Sequence, residues 1–125
     1  MKGKKNPIVD TLKKAAKGLK YTSETEAKLE PFLWEDGDKL TDAHLLELAG
    51  EEEGAAVEQE SLDDFFHAVP PEDKEKFDAL AKVLKEQLSG VKVYKVGDEA
   101  EKQAYIVGKT KDGQWAGLKT TVVET

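Results

Sequence analysis

Residues 105–125, YIVGKTKDGQWAGLKTTVVET, decide the fold of this chain. Runs of alternating apolar and polar residues lie on both sides of the pair Asp112-Gly113. An Asp-Gly pair between two such runs is the strongest short-range signal for a β-hairpin. The sequence therefore predicts a hairpin with strands over residues 104–109 and 114–123. We expect the second strand to hold the α-carboxylate of Thr125 in place, so that it can reach a cation or a metal site on another molecule.

Upstream of this hairpin, the pattern of apolar residues predicts one helix, one strand, three helices and one further strand. Residues 21–28 and 51–60 are polar, and we predict a turn and a loop there. Strands that are joined by short loops pair antiparallel, so we predict a single α+β domain over residues 1–125, with residues 1–6 flexible. The predicted elements are a helix over residues 8–19 with Asn6 as its cap and Pro7 at its first position, a strand over 29–35 in which Pro31 marks either a sheet edge or the strand start, a helix from the Thr41 cap to Ala49 with Gly50 as its stop, a short helix opened by Ser61, a long helix from Pro70 to Gly90, and a strand over 91–96.

Composition argues against several classes of protein. The 125 residues contain no Cys, which excludes disulfides, thiolate metal sites and a Cys nucleophile. All 19 basic residues are Lys, and without the bidentate guanidinium of Arg the sequence does not favour specific recognition of nucleic acid. No apolar run reaches about 12 residues, which argues against a transmembrane span or a signal peptide. We expect a cytoplasmic protein that binds neither nucleic acid nor a membrane.

The charge of the chain is unevenly distributed. The formal net charge is −7, yet residues 1–20 carry seven Lys against one Asp. Residues 21–75 carry three Lys against eighteen carboxylates, and residues 76–125 carry nine Lys against seven carboxylates. The acidic block over residues 21–75 repels DNA and attracts basic or metal-bearing partners. The alternative is that the block only keeps the protein soluble.

No arrangement of residues in the sequence points to catalysis. His44 and His67 lie on predicted helices, and neither has a second ligand at the spacing that a metal site needs. The stretch Gly108-Lys109-Thr110 resembles the end of a phosphate-binding loop, but the first glycine of that motif would fall at Gln103. The pair Asp36 and Asp38 lacks the alternating oxygen ligands of a calcium loop and fits a turn better. We therefore expect no enzymatic activity, no cofactor and no metal bound by the protein itself.

Three segments resemble the nuclease A inhibitor family: residues 105–125, quoted above, residues 84–97 (LKEQLSGVKVYKVG) and residues 21–41 (YTSETEAKLEPFLWEDGDKLT). The most specific pieces are PFLWE, the VGKT turn region with its following Gly and Ala-Gly, and the terminal VVET. Members of this family are small acidic inhibitors of sugar-nonspecific DNA/RNA endonucleases of the ββα-metal type. The resemblance covers nearly the whole chain.

The resemblance implies an α/β/α sandwich with a central antiparallel sheet, and a chain that is a monomer when free. It also implies one-to-one blockade of the nuclease active site. In the family, the C-terminal Thr carboxylate and the Glu of an SE motif approach the catalytic magnesium of the nuclease, largely through its waters. Here those positions are Thr125 and Glu24, with Glu124 and Ser23 beside them as partner-binding residues. A rigidly held carboxylate can imitate the phosphate of a substrate at a divalent cation without offering a bond to cleave.

The chain departs from the family between the short Phe-containing helix and the long helix. In the family's characterised form this stretch is longer and presents an aromatic anchor to the nuclease. Here it is residues 68–73 (AVPPED), without an aromatic residue. Such anchors often carry much of the energy of an interface. The alternative interpretation is therefore an acidic binding module that has kept the fold and recognises a basic partner other than a nuclease.

Overall fold

The computed structural model describes residues 7–22, 26–34, 39–67, 69–97 and 100–123. The predicted Asn6 cap and the predicted flexible segment 1–6 lie outside the described residues. The elements, in chain order, are α1 (Pro7–Ala16), β1 (Lys20–Thr22), β2 (Glu26–Lys28), β3 (Glu30–Trp34), α2 (Asp42–Ala49), β4 (Val57–Glu60), α3 (Leu62–His67), a 3-10 turn (Pro71–Asp73), α4 (Lys74–Gln87), β5 (Ser89–Val96), β6 (Glu101–Lys109) and β7 (Trp115–Val123).

Five strands form the central sheet in the order β3-β7-β6-β5-β4, and every neighbouring pair is antiparallel. β3 lies at one edge, which is one of the two possibilities that Pro31 indicates, and β4 lies at the other edge. The hairpin at Asp112-Gly113 is confirmed: Lys109 pairs with Trp115, and Gly113 has a φ of 83°. The backbone N–H of Gln114 donates to Thr110 Oγ1 at 3.0 Å, which closes the turn.

Helices cover both faces of this sheet, because residues on each strand alternate between the two faces. On the first face, α1, α3 and α4 pack against inward-pointing residues of β5, β6 and β7. That core contains Leu12 of α1, Phe65 of α3 and Leu80 of α4, all almost fully buried. The sheet contributes a row of small and aliphatic side chains to the same core: Val93, Ala104, Ile106, Ala116, Leu118 and Val122.

Among the described helices, α2 is the one that packs against the second face of the sheet. Its Leu45 and Leu46 contact the residues that alternate with the first row: Tyr94, Val96, Tyr105 and Val107. Since α2 has only eight residues, half-buried aromatic side chains remain on either side of it. The predicted α/β/α sandwich with a central antiparallel sheet is thus confirmed, with one face covered more fully than the other.

The helix boundaries follow the predicted capping residues. Thr41 Oγ1 accepts a hydrogen bond from the backbone N–H of His44, and Gly50 ends α2 in the left-handed conformation with a φ of 74°. Ser61 Oγ accepts from the backbone N–H of Asp64 at the start of α3. The long helix ends at Gln87, three residues before the predicted stop at Gly90, because residues 89 and 90 already belong to β5.

Two sequence predictions are wrong. The predicted turn over residues 21–28 did not include strands, yet its described residues 21–22 and 26–28 lie in β1 and β2, which pair with each other as a small separate sheet, with Tyr21 opposite Ala27. Residues 51–60 are not entirely loop, because Val57–Glu60 pairs with β5 as an edge strand. β4 is stabilised by its pairing with β5, which is distant in sequence, whereas β1 and β2 are consecutive strands that pair with each other.

Gly117 lies where β7 and β6 approach closely. A Cβ atom at this position would come within 1.6 Å of the backbone oxygen of Ile106. The ring of Phe32 on β3 would lie 3.3 Å from the same atom, so it covers the space that a side chain would otherwise occupy. Gly117 thus lets the Phe32 ring of the edge strand pack over β7 on the second face of the sheet.

In the described part of the chain, no helix has the length and apolar character needed to cross a bilayer.

Candidate partner-binding surface

The β1–β2 hairpin is anchored in the first core by Tyr21. The Tyr21 ring stacks on the Phe65 ring, with centroids 4.2 Å apart and planes 1° apart, and meets the Phe77 ring edge-on at 6.3 Å. Its hydroxyl donates to the backbone oxygen of Phe65 at 2.9 Å. Only 3% of Tyr21 is exposed. The β1–β2 hairpin has only three residue pairs, and the Tyr21 side chain fixes it to the core.

The hairpin also contacts the C-terminal strand. Both β1 and β2 contact β7, and Thr120 Oγ1 lies 3.4 Å from the backbone oxygen of Ala27, a long hydrogen bond. Thr120 is 3% exposed and is the buried polar residue of the described core. The hairpin and the last strand therefore form one connected unit, although more than ninety residues of sequence separate Ala27 from Thr120.

β7 remains ordered in the sheet up to its last described residue. It lies between β3 and β6, and Val123 pairs with Glu101. Val122 is 3% exposed and belongs to the first core. β3 pairs with residues 115–119, and residues 120–123 are paired with β6. A strand end that is paired on one side and has its penultimate described residue in the core resists fraying, because leaving the sheet would expose apolar area and backbone polar groups.

Ser23, Glu24, Glu124 and Thr125, the four predicted partner-binding residues, all lie outside the described residues. The structure describes the residues that flank them. Thr22 and Glu26, the ends of the β1–β2 hairpin, pair with each other, so residues 23–25 form a three-residue connection.

Sequence reasoning did not predict that Tyr21 anchors the β1–β2 hairpin to the core. A signal was present, since apolar residues at 19, 21, 27 and 29 occupy alternate positions on both sides of a short polar connection. Such alternation is typical of half-buried strands.

The acidic block over residues 21–75 is divided in space. α2 and α3 both belong to the block, but they lie on opposite faces of the sheet, and β4 lies at its edge. Part of the charge is neutralised locally. Glu60 Oε2 lies 3.0 Å from Lys95 Nζ in a largely buried ion pair, and Asp63 Oδ1 lies 2.9 Å from Lys85 Nζ at the surface. The described carboxylates of the block therefore do not form a single acidic face.

Neither histidine takes part in a metal-like cluster. His44 Nδ1 lies 3.5 Å from Glu47 Oε1 on the next turn of α2, and His67 is exposed at the end of α3. Among the residues that the structure describes, no three His, Asp or Glu side chains are placed to hold one ion.

Two tyrosines of the second face have raised pKa values. Burial raises the pKa of Tyr105 well above 10.0, and the hydrogen bond to Glu51 and the negative charge of that carboxylate raise it further. Burial, and after it the charge of Asp42, raises the pKa of Tyr94. Both phenols therefore stay protonated at neutral pH, so each of them can donate a hydrogen bond.

The described geometry is an anchored β1–β2 hairpin in contact with the last strand of the central sheet. The sequence model of the nuclease A inhibitor-like protein family (NuiA) matches residues 6–125, nearly the whole chain. A search of curated protein sequences with this chain found no match. This chain belongs to the nuclease A inhibitor-like family, as its resemblance to the nuclease A inhibitor family predicts.

Proposed function

We propose that this protein binds a sugar-nonspecific ββα-metal endonuclease in a one-to-one complex and blocks its active site. The observation that carries the proposal is the family match over residues 6–125. In this proposal the Thr125 carboxylate and Glu24 are directed at the catalytic magnesium of the nuclease, and Glu124 and Ser23 contact the surrounding surface. The protein acts by occupying a site, without catalysis of its own.

Two features of the fold support this use of the two segments. In the sequence, residues 23–25 connect β1 to β2, the two strands that Tyr21 fixes to the core, and residues 124–125 follow a strand that is paired up to Val123. An inhibitor that presents its contact groups from fixed elements loses little conformational entropy on binding. A short peptide with the same residues would have to be ordered first.

A second candidate function rests on the connection between α3 and α4. In the family's characterised form this connection presents an aromatic anchor, whereas here the described residues 69–73 contain none. Val69 points into the core, and Pro71–Asp73 forms a tight 3-10 turn. The lack of an anchor favours an acidic binding module of the same fold that has a non-nuclease basic partner.

Inhibition of a purified ββα-metal nuclease by increasing amounts of the full chain distinguishes the two functions. We expect activity to fall to zero at one equivalent of the protein. A nuclease that keeps full activity at a large excess of the protein would contradict the proposed inhibition and favour the second candidate function.

Glu24→Gln tests the proposed contact within the same assay. We expect it to weaken inhibition by about tenfold or more, since it removes a charge from a desolvated contact. Glu58→Gln is the matched control, because Glu58 is exposed on β4, at the opposite edge of the sheet from β3. Both variants have the same net charge, so an equal loss from both would mean that only overall charge matters and that Glu24 makes no specific contact.

A further inference from the structure

An open cavity of about 390 Å³ lies on the second face of the sheet, beside the start of α2. We call it the basic pocket. Its lining combines lysines and aromatic side chains: Lys39, Lys92, Lys109, Tyr94, Val107 and Trp115. Its volume lies in the range of small-molecule sites, which is about 300–1,000 Å³.

The alternation of the strands explains why these residues meet. Lys92 and Tyr94 are two apart on β5, and Val107 and Lys109 are two apart on β6, so each pair projects from the same face. Trp115 is the register partner of Lys109 on β7. The segment before α2 brings Lys39 to the same rim.

The charge of the basic pocket is unusual in a protein whose net charge is −7. None of the three lysines forms an ion pair with a residue that the structure describes. Lys109 Nζ lies 5.3 Å from the centroid of the Trp115 ring, which keeps its ammonium group over the aromatic floor. One carboxylate is close enough to act on Tyr94: Asp42, which also accepts a long hydrogen bond from Gln59 Nε2 at 3.4 Å.

The pocket therefore separates two kinds of surface. The half-buried Trp115, with the nearly fully buried Tyr94 and Val107, forms an aromatic and apolar floor. The exposed Lys39 and Lys92 lie at the rim, and the Lys109 ammonium lies over the Trp115 ring. An inorganic anion would use the rim alone, and an uncharged ring would use the floor alone. We propose that the basic pocket binds a small planar organic anion, a free mononucleotide, with its base on the floor and its phosphate between the lysines. This proposal does not rest on nuclease inhibition.

Titration of the full chain with adenosine monophosphate at low ionic strength tests the proposal. We expect saturable heat in calorimetry, and shifts of the Trp115 indole N–H and of the Lys92 and Val107 amides in NMR spectra. The Trp34→Phe variant identifies which indole signal belongs to Trp115. Adenosine and inorganic phosphate should each bind at least about tenfold more weakly than the nucleotide, because each uses only one of the two surfaces.

Substitution of the rim provides the matched comparison. Lys92→Gln and Lys109→Gln should each weaken nucleotide binding by about five- to tenfold, since each removes a charged donor to the phosphate. Lys76→Gln removes the same charge from the exposed surface of α4 and should leave binding unchanged.

Three results would overturn the proposal. The first is the absence of saturable binding by the folded protein. The second is equal weakening by Lys76→Gln and the rim variants, which would mean attraction by overall charge. The third is binding of a hexaglutamate peptide to this pocket without binding of the nucleotide, which would assign the lysines to an acidic protein segment.

Discussion

Removing the Tyr21 hydroxyl should destabilise the fold measurably while leaving its packing in place. In Tyr21→Phe the ring still stacks on Phe65 at 4.2 Å, so the buried apolar area is nearly unchanged. What is lost is the 2.9 Å hydrogen bond to the backbone oxygen of Phe65. A buried acceptor that loses its donor costs about 1–2 kcal/mol, because water cannot replace the donor.

Urea unfolding followed by circular dichroism measures this change. For a domain of this size the urea slope is about 1–2 kcal/mol/M, so the midpoint should fall by about 1 M. Tyr94→Phe is the matched control, because Tyr94 is also buried but makes no hydrogen bond with a described residue. We expect the control to change the free energy of unfolding by less than about 0.5 kcal/mol. If the two variants were equally stable, the Tyr21 hydroxyl would not anchor the hairpin.

Three further predictions concern the sheet and its charged neighbours. Gly117→Ala should cost at least about 3 kcal/mol in thermal or urea unfolding, because the new methyl group would overlap backbone atoms of β6. Lys95→Met should lower the free energy of unfolding by about 1–3 kcal/mol, because it leaves the largely buried Glu60 carboxylate unpaired. Lys85→Met should lower it by less than about 0.5 kcal/mol, because the ion pair of Lys85 with Asp63 is exposed. Equal losses from the two variants would contradict the difference in burial. The raised pKa of Tyr105 means that the folded state retains the phenol proton more strongly than the unfolded state, so its contribution to stability is present below pH 10 and is lost as the pH rises above it. Between pH 10 and 11 the wild type should therefore lose up to about 1.4 kcal/mol per pH unit more than Tyr105→Phe, and parallel curves would contradict this.

Sequence reasoning predicted the C-terminal half of the fold more completely than the N-terminal half. β5, β6 and β7 are long strands with eight or nine residues each, rich in apolar side chains, and α2 and α3 start at side-chain caps that the sequence reveals. β1, β2 and β4 have three or four residues each and are rich in charged side chains. β4 pairs with a strand distant in sequence, and the β1–β2 hairpin is held by contacts of Tyr21 with Phe65 and of Ala27 with Thr120, none of which local patterns report.

The same distinction applies to the binding surface. The SE motif and the terminal VVET can be recognised in the sequence itself, and they are the basis for predicting Glu24 and Thr125 as partner-binding residues. The ring stack of Tyr21 on Phe65 joins residues 44 positions apart, so only the folded chain shows that this tyrosine fixes the hairpin. The basic pocket likewise gathers lysines from three separate segments. In the sequence analysis Lys39 and Lys92 counted only in the charge balance, and Lys109 appeared only in the rejected phosphate-loop motif.

The most direct test of the proposed function compares three forms of the protein as inhibitors of one ββα-metal nuclease. The forms are the wild type, a form with a short Gly-Ser extension at the N-terminus, and a form with the same extension after Thr125. An extension after Thr125 moves the terminal carboxylate away and adds bulk at the metal site, with each added residue spanning up to about 3.3 Å. Thermal unfolding of all three forms verifies that the extensions leave the fold intact.

We expect the wild type and the N-terminally extended form to inhibit equally at one equivalent. The C-terminally extended form should require at least about a hundredfold higher concentration, because it loses the charge at the metal and gains a steric clash. If the C-terminally extended form inhibits as well as the other two, the Thr125 carboxylate is not the inhibitory group.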